Sequence, residues 1–384
     1  MQVAHFLPFY LSSGLPKSAL AFGPVILQTM PRPFAELDLI RQIRSEQIRG
    51  ARTRSAAVRR ASGSNLVLGI GDDCAILRPP RGHDLLVTTD FSLEGRHFLR
   101  CLHRPESIGH RVLARGLSDL AAMGATPLAA FLSLALPADL VATRSGRTWL
   151  TRFFTGFNAL ARAHSVPLAG GDTSESPSPH TLADIILLGS APADRALRRS
   201  TARAGDALYV TGDLGGSAAE LAGLEQRARL SPVRTAPNQT DPNPHPHLYP
   251  QPRLAIGQTL LRHRLATACI DLSDGLSTDL THLCQESHLG AEINAAALPV
   301  HPLAAGAALA AAASDPFSLA LHGGEDYELL FAAPPTARIP GSIAGVRITR
   351  IGTLTRKKAI TLIDADGRRT PLQPAGWEHF ARPR

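Results

Sequence analysis

Ile270-Asp271-Leu272-Ser273-Asp274-Gly275-Leu276 is the stretch from which the organisation of this chain can be worked out. An apolar run that fits a short strand ends on one carboxylate, and a second carboxylate follows three residues later beside a glycine. If a helix begins here, Ser273 or Asp274 could cap it, and the N-terminus of that helix would favour phosphate. An ordinary capping turn has the same composition, so this stretch alone leaves both interpretations open.

The same arrangement, which we call an acidic corner, occurs at five further places. Each has a carboxylate at the end of an apolar run, beside small residues: Gly71-Asp72-Asp73, Thr88-Thr89-Asp90, Leu117-Ser118-Asp119, Gly170-Gly171-Asp172 and Gly323-Gly324-Glu325-Asp326. Small neighbours let the backbone turn sharply and approach a phosphate closely. Mg2+ is usually held by a few carboxylates together with substrate phosphates. Six acidic corners therefore predict a site that gathers several Mg2+ ions around a polyphosphate.

Composition limits the class of protein. With 384 residues the chain is too long for one ordinary domain, and its 44% hydrophobic and 19% charged residues indicate a globular protein with a large core. Aromatic residues are only 5%, which disfavours a stacking surface for single-stranded nucleic acid. The four cysteines show no CxxC spacing, so neither a zinc site nor a disulfide framework is expected, and a reducing cytoplasm fits.

Apolar runs alternate with segments of helical spacing along most of the chain. Strands are predicted at 66–70, 85–89, 131–136, 166–169, 185–189, 207–210 and 328–331, with a further strand ending near Ile270. Helices are predicted at 34–47, 108–124, 148–164 and 304–313, and also from Ala218 and after Asp274. This alternation predicts an α/β or α+β fold, with a domain boundary near residues 190–204.

Three segments have no clear place in that pattern. Arg41–Arg60 holds seven arginines and one glutamate, for which we favour a solvated basic loop over an RNA or membrane surface. Residues 231–252 are rich in Pro, Asn and His and predict a long surface loop. Residues 1–29 are apolar, but they lack a basic start and prolines interrupt them, so neither a signal peptide nor a membrane span is expected. We hypothesise that translation starts at or near Met30.

Three other features are weaker candidates. Thr211-Gly212-Asp213-Leu214-Gly215-Gly216-Ser217 lies between a predicted strand and a predicted helix, where phosphate loops lie, but it lacks the Gly-Lys-Ser/Thr of a Walker A loop and a plain turn is the alternative. His97 follows the Asp90 corner, although a lone histidine is more often structural. Arg199 lies at the predicted domain junction and could neutralise a transferred phosphoryl group, or it could be an ordinary surface arginine.

Taken in order, the acidic corners and their neighbours closely resemble the thiamine-monophosphate kinase family. The residues that carry the resemblance are 69–75 (Gly-Ile-Gly-Asp-Asp-Cys-Ala), 88–90, His97-Phe98, 117–125 (Leu-Ser-Asp-Leu-Ala-Ala-Met-Gly-Ala), 170–173, 270–276 and 323–329 (Gly-Gly-Glu-Asp-Tyr-Glu-Leu). The resemblance covers roughly residues 34–384 and implies the architecture of the aminoimidazole ribonucleotide synthetase superfamily. That architecture has two domains with mixed sheets and flanking helices. We accordingly expect a disordered extension at 1–33, an N-terminal domain for Mg2+, ATP and dimerisation at 34–192, and a C-terminal domain at 193–384.

The resemblance also implies an activity and a set of site residues. The expected reaction is ATP-dependent phosphorylation of thiamine monophosphate to thiamine diphosphate, in the cytoplasm, by a homodimer with no nucleic-acid or membrane partner. Positions that match the family's Mg2+ ligands are Asp73, Thr88, Thr89, Asp90, Asp119, Asp172, Asp271 and Asp274. Positions that match ATP contacts are Gly171, Asp172, Arg199 and Ser273, and those that match thiamine-phosphate contacts are His97, Glu325 and Trp377.

Two kinds of rival remain at this point. Within the superfamily they are selenophosphate synthetase, disfavoured because no N-terminal Cys-containing Gly-rich loop with a nearby lysine is found, and aminoimidazole ribonucleotide synthetase. An RNA-binding protein that uses Arg41–Arg60 is the alternative from another class, but it leaves the acidic corners unexplained. No residue is assigned as a general base, because the acceptor is already a phosphate that is largely ionised, with a second pKa of about 6.

Overall fold

A computed structural model describes residues 65–230, 245–311 and 315–377. Of the helix predicted over 34–47, it describes Asp38, Ile40, Arg41 and Ile43, all of which are helical. The predicted extension at 1–33, the proposed start near Met30, most of Arg41–Arg60 and residues 231–244 lie outside the described residues.

The first half of the described chain forms a four-stranded sheet. Its strands are β3 (His83–Leu93), β4 (Thr126–Leu136), β5 (Leu168–Glu175) and β6 (Leu182–Pro192), in the order β3-β6-β4-β5. β4 and β5 run parallel, and the other pairs are antiparallel. A separate two-stranded ribbon precedes this sheet: β1 (Leu66–Leu68) and β2 (Ile76–Leu77). The helices of this half are α1 (Pro105–Ala122), α2 (Ala138–Ala142) and α3 (Arg144–Ala163).

The second half forms a larger mixed sheet in the order β14-β13-β9-β12-β7-β10-β8, and β11 pairs with β12. Its strands are β7 (Ala207–Thr211), β8 (Ala268–Asp271), β9 (Gly290–Asn294), β10 (Leu329–Ala333), β11 (Ser342–Ile343), β12 (Val346–Thr355), β13 (Ile360–Ile363) and β14 (Arg369–Pro371). Its helices are α4 (Gly216–Leu230), α5 (Leu254–Arg262), α6 (Leu276–Glu286), α7 (Pro302–Ala311) and α8 (Pro316–His322), with a 3-10 turn at Ala295–Ala297.

Helix α1 joins the two halves. Fifteen of its 18 residues are buried, so it is enclosed on all sides rather than amphipathic. Ser118 of α1 donates a hydrogen bond to Asp271 at the end of β8, 2.7 Å away. Helix α5 crosses α1 so closely that a Cβ on Gly257 would lie 1.8 Å from the carbonyl oxygen of Ala121. Only glycine permits this approach, and through it the second half packs against a helix of the first.

The predicted elements are confirmed in type, and the structure extends several of them. β3 covers eleven residues where five were predicted, because its alternation of buried and exposed side chains continues through polar positions. Strands β2, β9 and β11 to β14 and helices α2, α5 and α8 were missed. The described part of the predicted 231–252 loop, from residue 245, contains no helix or strand. In the described part of the chain, no helix is both long and apolar enough to cross a membrane.

Candidate active site

Four of the predicted metal-binding residues meet where β3, α1 and the end of β8 come together. Alternation along β3 turns Thr88 and Asp90 towards α1, where the Thr88 hydroxyl donates to the Asp119 carboxylate. Arg115, one helical turn before Asp119, donates to both Asp90 oxygens at 2.8 and 3.1 Å. Ser118, the residue before Asp119, donates a hydrogen bond to Asp271, which brings Asp271 next to these residues. We call Asp90, Asp119 and Asp271 the acidic cluster.

Burial and mutual repulsion disfavour the ionised forms of the carboxylates in the acidic cluster. Burial raises the pKa of the Asp119 carboxyl, the hydrogen bond from Thr88 opposes this, and the charge of Asp90 raises it further. Burial likewise raises the pKa of Asp271, and the charge of Asp119 adds to the increase. The positive charge of Arg199 acts in the opposite direction on both groups, so Arg199 lies within electrostatic range of Asp119 and Asp271, and its role as an ATP contact stays a prediction. Buried carboxylates that repel one another are a donor set suited to a cation.

The loop after β8 is held by a residue that the sequence did not single out. Asp279, in the first turn of α6, accepts hydrogen bonds from the backbone N–H groups of Asp274 and Gly275 at 3.0 and 3.1 Å. Burial, together with the charges of Asp271 and Asp274, raises the pKa of Asp279 to about 8. Asp279 therefore fixes the backbone that presents Ser273 and Asp274.

Two distant segments dock on the same loop. The backbone N–H of Glu325 donates to the Ser273 carbonyl at 2.8 Å, and that of Trp377 donates to the Asp274 carbonyl at 3.0 Å. The Trp377 side chain is 47% exposed beside this loop. Three predicted residues from the second half, Ser273, Glu325 and Trp377, are thus brought together.

Glu325 is tied to the first half through two arginines of α1. Arg111 donates to its carboxylate at 2.8 Å and Arg115 at 3.3 Å. Although burial favours the neutral acid, Arg111 and Arg115 hold the pKa of Glu325 at about 2. The other predicted substrate contact, His97, belongs to the same network because its carbonyl oxygen accepts a hydrogen bond from Arg111. The His97 ring accepts from the backbone N–H of Leu93 through Nδ1.

The remaining predicted residues lie away from the acidic cluster, with Thr89, Gly171 and Asp172 on the first sheet and Asp73 between the two strands of the ribbon. Gly171 and Asp172 are on β5 and line a cavity of about 690 Å3 together with Asp73. β3 and β5 are opposite edges of the sheet, three strand spacings or about 14 Å apart. Thr89 points away from α1 and donates to Asp184 of β6 at 2.8 Å. The structure therefore separates Asp73, Thr89, Gly171 and Asp172 from the acidic cluster.

The suggestion of a phosphate loop at Thr211–Ser217 is wrong. The backbone N–H groups of Gly215 and Ser217 at the start of α4 donate to the Asp326 carboxylate at 2.6 and 3.1 Å. Neighbouring Glu328 is paired with Arg253 and accepts from Thr211. Two carboxylates of the 323–328 motif thus stabilise the second half, and the helix N-terminus is occupied by protein.

Sequence reasoning missed Arg111, Arg115, Ser118 and Asp279. For the three residues of α1 the available signal was their spacing. Arg115 follows Arg111 by four residues and Ser118 follows Arg115 by three, which puts all three side chains on one face of the helix. Among the described residues, no three Asp, Glu, His or Cys side chains are grouped closely enough to hold a metal ion together, so the acidic cluster brings Asp90, Asp119 and Asp271 near one another without forming a three-ligand metal site.

Comparison with known proteins assigns the chain to a family. The model for the AIR synthase related protein, N-terminal domain, matches residues 71–191, and that for the C-terminal domain matches residues 203–365. Thiamine-monophosphate kinase of Escherichia coli strain K12 is 39% identical over 330 residues, which are 84% of this chain and 95% of that protein. The chain belongs to the thiamine-monophosphate kinase family.

Solved structures of the thiamine-monophosphate kinase family have the same fold. The crystal structure of the Stenotrophomonas maltophilia K279a enzyme matches with a TM-score of 0.69 and 34% identity, covering 88% of this chain and 98% of that one. AaThiL complexed with AMPPCP and TMP matches with a TM-score of 0.66 and 29% identity, covering 84% and 95%. The expected two-domain mixed architecture is confirmed. The exact division at residues 192 and 193 stays a prediction.

Proposed function

We propose that this chain transfers the terminal phosphoryl group of ATP to the phosphate of thiamine monophosphate, which yields thiamine diphosphate. The observation that carries the proposal is the acidic cluster, flanked by Arg115 and Arg199, in a chain of this family. Its relatives are thiamine-monophosphate kinases, and AaThiL has been solved with AMPPCP and TMP. No observation favours aminoimidazole ribonucleotide or selenophosphate synthesis.

We infer that Mg2+ is held by Asp73, Thr88, Thr89, Asp90, Asp119, Asp172, Asp271 and Asp274. The donor set fits this ion because it consists of carboxylate and hydroxyl oxygens, and because burial and mutual repulsion raise the pKa of Asp119 and Asp271. When bound, Mg2+ supplies positive charge that offsets repulsion between two phosphate-bearing substrates. We expect the ions to bind in more than one place, since Thr88, Thr89 and Asp90 lie on one edge strand of the first sheet and Asp172 on the opposite edge strand.

The nucleotide and the acceptor are proposed to occupy different walls of the site. ATP is assigned to Gly171 and Asp172 at the 690 Å3 cavity and to Arg199 and Ser273 near the acidic cluster. A cavity of that volume accommodates a nucleoside. Thiamine monophosphate is assigned to His97, Glu325 and Trp377, with the exposed Trp377 ring against the cationic thiazolium or the pyrimidine.

The proposed mechanism is direct in-line transfer without a phosphorylated enzyme. The acceptor phosphate is already ionised near neutral pH, so the chain needs no general base. In this proposal Arg199 neutralises charge on the transferred group, and the loop held by Asp279 orients Ser273 and Asp274. Positioning and charge neutralisation are the main contributions that protein makes to phosphoryl transfer.

We also infer a cytoplasmic homodimer that forms through the first half. One face of β3 leaves three large apolar side chains open to solvent: Leu85 is 49% exposed, Val87 62% and Phe91 54%. Such a stripe is typical of a protein interface. Light scattering should give twice the chain mass, and V87E together with F91E should give a folded monomer. The cytoplasm is inferred because the four cysteines are free thiols, two of them exposed.

Product analysis tests the function. The purified chain, ATP and Mg2+ should convert thiamine monophosphate to thiamine diphosphate, releasing one ADP per product. Thiamine and substrates of the aminoimidazole ribonucleotide pathway should give no turnover, and a chelator should abolish the reaction. ADP release with another acceptor and none with thiamine monophosphate would contradict the proposal.

A further inference from the structure

A second polar cleft lies between the segment that joins β6 to β7 and the turn after α5. Its volume is about 380 Å3. Four arginines line it, Arg195, Arg198, Arg203 and Arg264, against a single carboxylate, Asp194. We call it the arginine cleft.

The four arginines of this cleft differ from three buried or half-buried arginines elsewhere in the molecule. Within the described part of the chain, Arg111, Arg115 and Arg253 each pair with a carboxylate. None of the four guanidinium groups of the arginine cleft has a hydrogen-bond or ion-pair partner among the described residues. All four residues are exposed, so their side chains can reach a ligand. Four like charges around one opening repel each other and together create a positive potential.

The backbone at Arg264 gives no reason for an arginine. Its φ of 54° lies in the left-handed region, directly after helix α5. The N–H groups of Arg264 and Leu265 donate to the carbonyl oxygens of Leu261 and Leu260, which is the hydrogen-bond pattern of a Schellman motif. Glycine is the preferred residue there because it has no Cβ. What arginine adds at this position is a guanidinium group in the cleft.

We propose that the arginine cleft binds an oligophosphate, a chain of two or three phosphates linked by anhydride bonds. Guanidinium groups bind phosphate oxygens through paired hydrogen bonds, and several of them together favour a ligand with several negative charges. The site is distinct from the one proposed for ATP. Arg198 lines the arginine cleft, whereas the next residue, Arg199, acts on Asp119 and Asp271.

Inorganic tripolyphosphate is the probe, titrated calorimetrically into the full chain in EDTA. Without Mg2+ the acidic cluster repels phosphate, so binding there does not interfere. We expect one tripolyphosphate per chain, affinity that falls with added salt, and much weaker binding of inorganic phosphate. ATP should bind as tightly as tripolyphosphate if the phosphate chain alone is recognised, and more tightly if a nucleoside is also held.

Two substitutions and one control decide the proposal. R203Q and R264G should each weaken binding by about three- to tenfold, as expected for the loss of one exposed charge-assisted contact. R262Q removes an exposed arginine of α5 that does not line the cleft, and it should change the affinity less than twofold. R264G should also raise the melting temperature of the free protein, because glycine relieves the left-handed backbone.

This combination separates lost binding from lost folding. The proposal is overturned if wild-type protein does not bind tripolyphosphate, if R203Q and R264G bind as well as wild type, or if R262Q loses as much affinity as R264G. Equal binding of inorganic phosphate would also overturn it. None of these measurements depends on kinase activity, so failure of the proposed function would leave them unaffected.

Discussion

At the scale of single residues, carboxylates of the acidic corners and the neighbouring Glu328 do not share one role. Asp90, Asp119 and Asp271 converge, and burial raises the pKa of the last two. Asp326 and Glu328 are satisfied within the second half by backbone N–H groups and by Arg253. Motifs of similar appearance can therefore bring mutually repelling carboxylates together in one place and cap a helix in another, and only the partners of each carboxylate distinguish them.

Replacing Asp119 by asparagine tests the acidic cluster. D119N should lower kcat at least about a hundredfold, which is typical for loss of one preorganised charged group at a transferring centre. The free energy of unfolding should be unchanged or increased, because the neutral amide removes repulsion with Asp90 and Asp271. Steady-state kinetics at saturating Mg2+ and thermal unfolding measure both. E225Q, on the exposed side of α4, is the matched control for loss of one negative charge.

Replacing Trp377 tests the acceptor site. W377A should raise the KM for thiamine monophosphate by about two- to thirtyfold with little change in kcat, corresponding to a cation–π contact of about 0.5–2 kcal/mol. W377F should recover much of the loss. The hydrogen bond from Trp377 to Asp274 uses the backbone, so both variants keep it. A KM equal to that of wild type in W377A would exclude stacking on this ring.

At the scale of elements, helix α1 determines the geometry of the site. It carries Arg111, Arg115, Ser118 and Asp119 while packing against the first sheet, α3, α5 and β8. A helix so enclosed tolerates few added atoms, because its neighbours are already at van der Waals contact.

Replacing glycine by alanine should change the free energy of unfolding in opposite directions at two positions, one at the crossing of α1 and α5 and one in α7. G257A should lower the free energy of unfolding by about 1–3 kcal/mol or more, because the new methyl group would overlap the Ala121 carbonyl. G306A, in helix α7, should raise it by about 0.5–1 kcal/mol, since nothing lies within 4 Å of the added Cβ and alanine favours the helix. Denaturant unfolding of both variants measures the difference. If both variants changed the free energy of unfolding equally, helices α1 and α5 could move apart without loss of stability.

At the scale of the whole molecule, the two halves are connected by buried charge. Arg111 and Arg115 of the first half hold Glu325 of the second, and His103 of the first half contacts His247 of the second at 2.9 Å. Burial lowers the pKa of His103 to about 4, so this ring is neutral at physiological pH and does not repel Arg111. These contacts lie next to Ser273 and His97, so the interface also shapes the proposed site.

The Glu325 contacts predict a specific acid sensitivity. The pKa of Glu325 falls from its ordinary 4.5 to about 2 on folding, so its stabilisation is fully present above pH 4.5 and is lost as pH falls towards 2. E325Q should be less stable than wild type by about 1–3 kcal/mol at neutral pH, and this difference should shrink below pH 4.5.

The matched control is a surface ion pair. E292Q removes the partner of Arg369 at an exposed site and should cost no more than about 1 kcal/mol at any pH. Denaturant midpoints measured from pH 2 to pH 8 decide between the two. If the E325Q difference stayed constant down to pH 2, the carboxylate would not be ionised in the folded protein.

Sequence alone determined the fold class, the order of most elements and the family. Strand and helix periods, and the composition of the acidic corners, are local properties, so residues near one another in the chain were sufficient to read them. The motif order was sufficient to identify the resemblance, and the comparisons confirm it.

Only the tertiary structure decided which of the predicted residues meet. Sheet order places Thr88 and Asp90 on one edge and Asp172 on the other, and the crossing of α1 brings Asp119 to Asp271. It also showed that Asp326 occupies the helix N-terminus that resembled a phosphate loop. These outcomes depend on contacts between residues that are far apart in the chain, and a local pattern contains no information about such pairings.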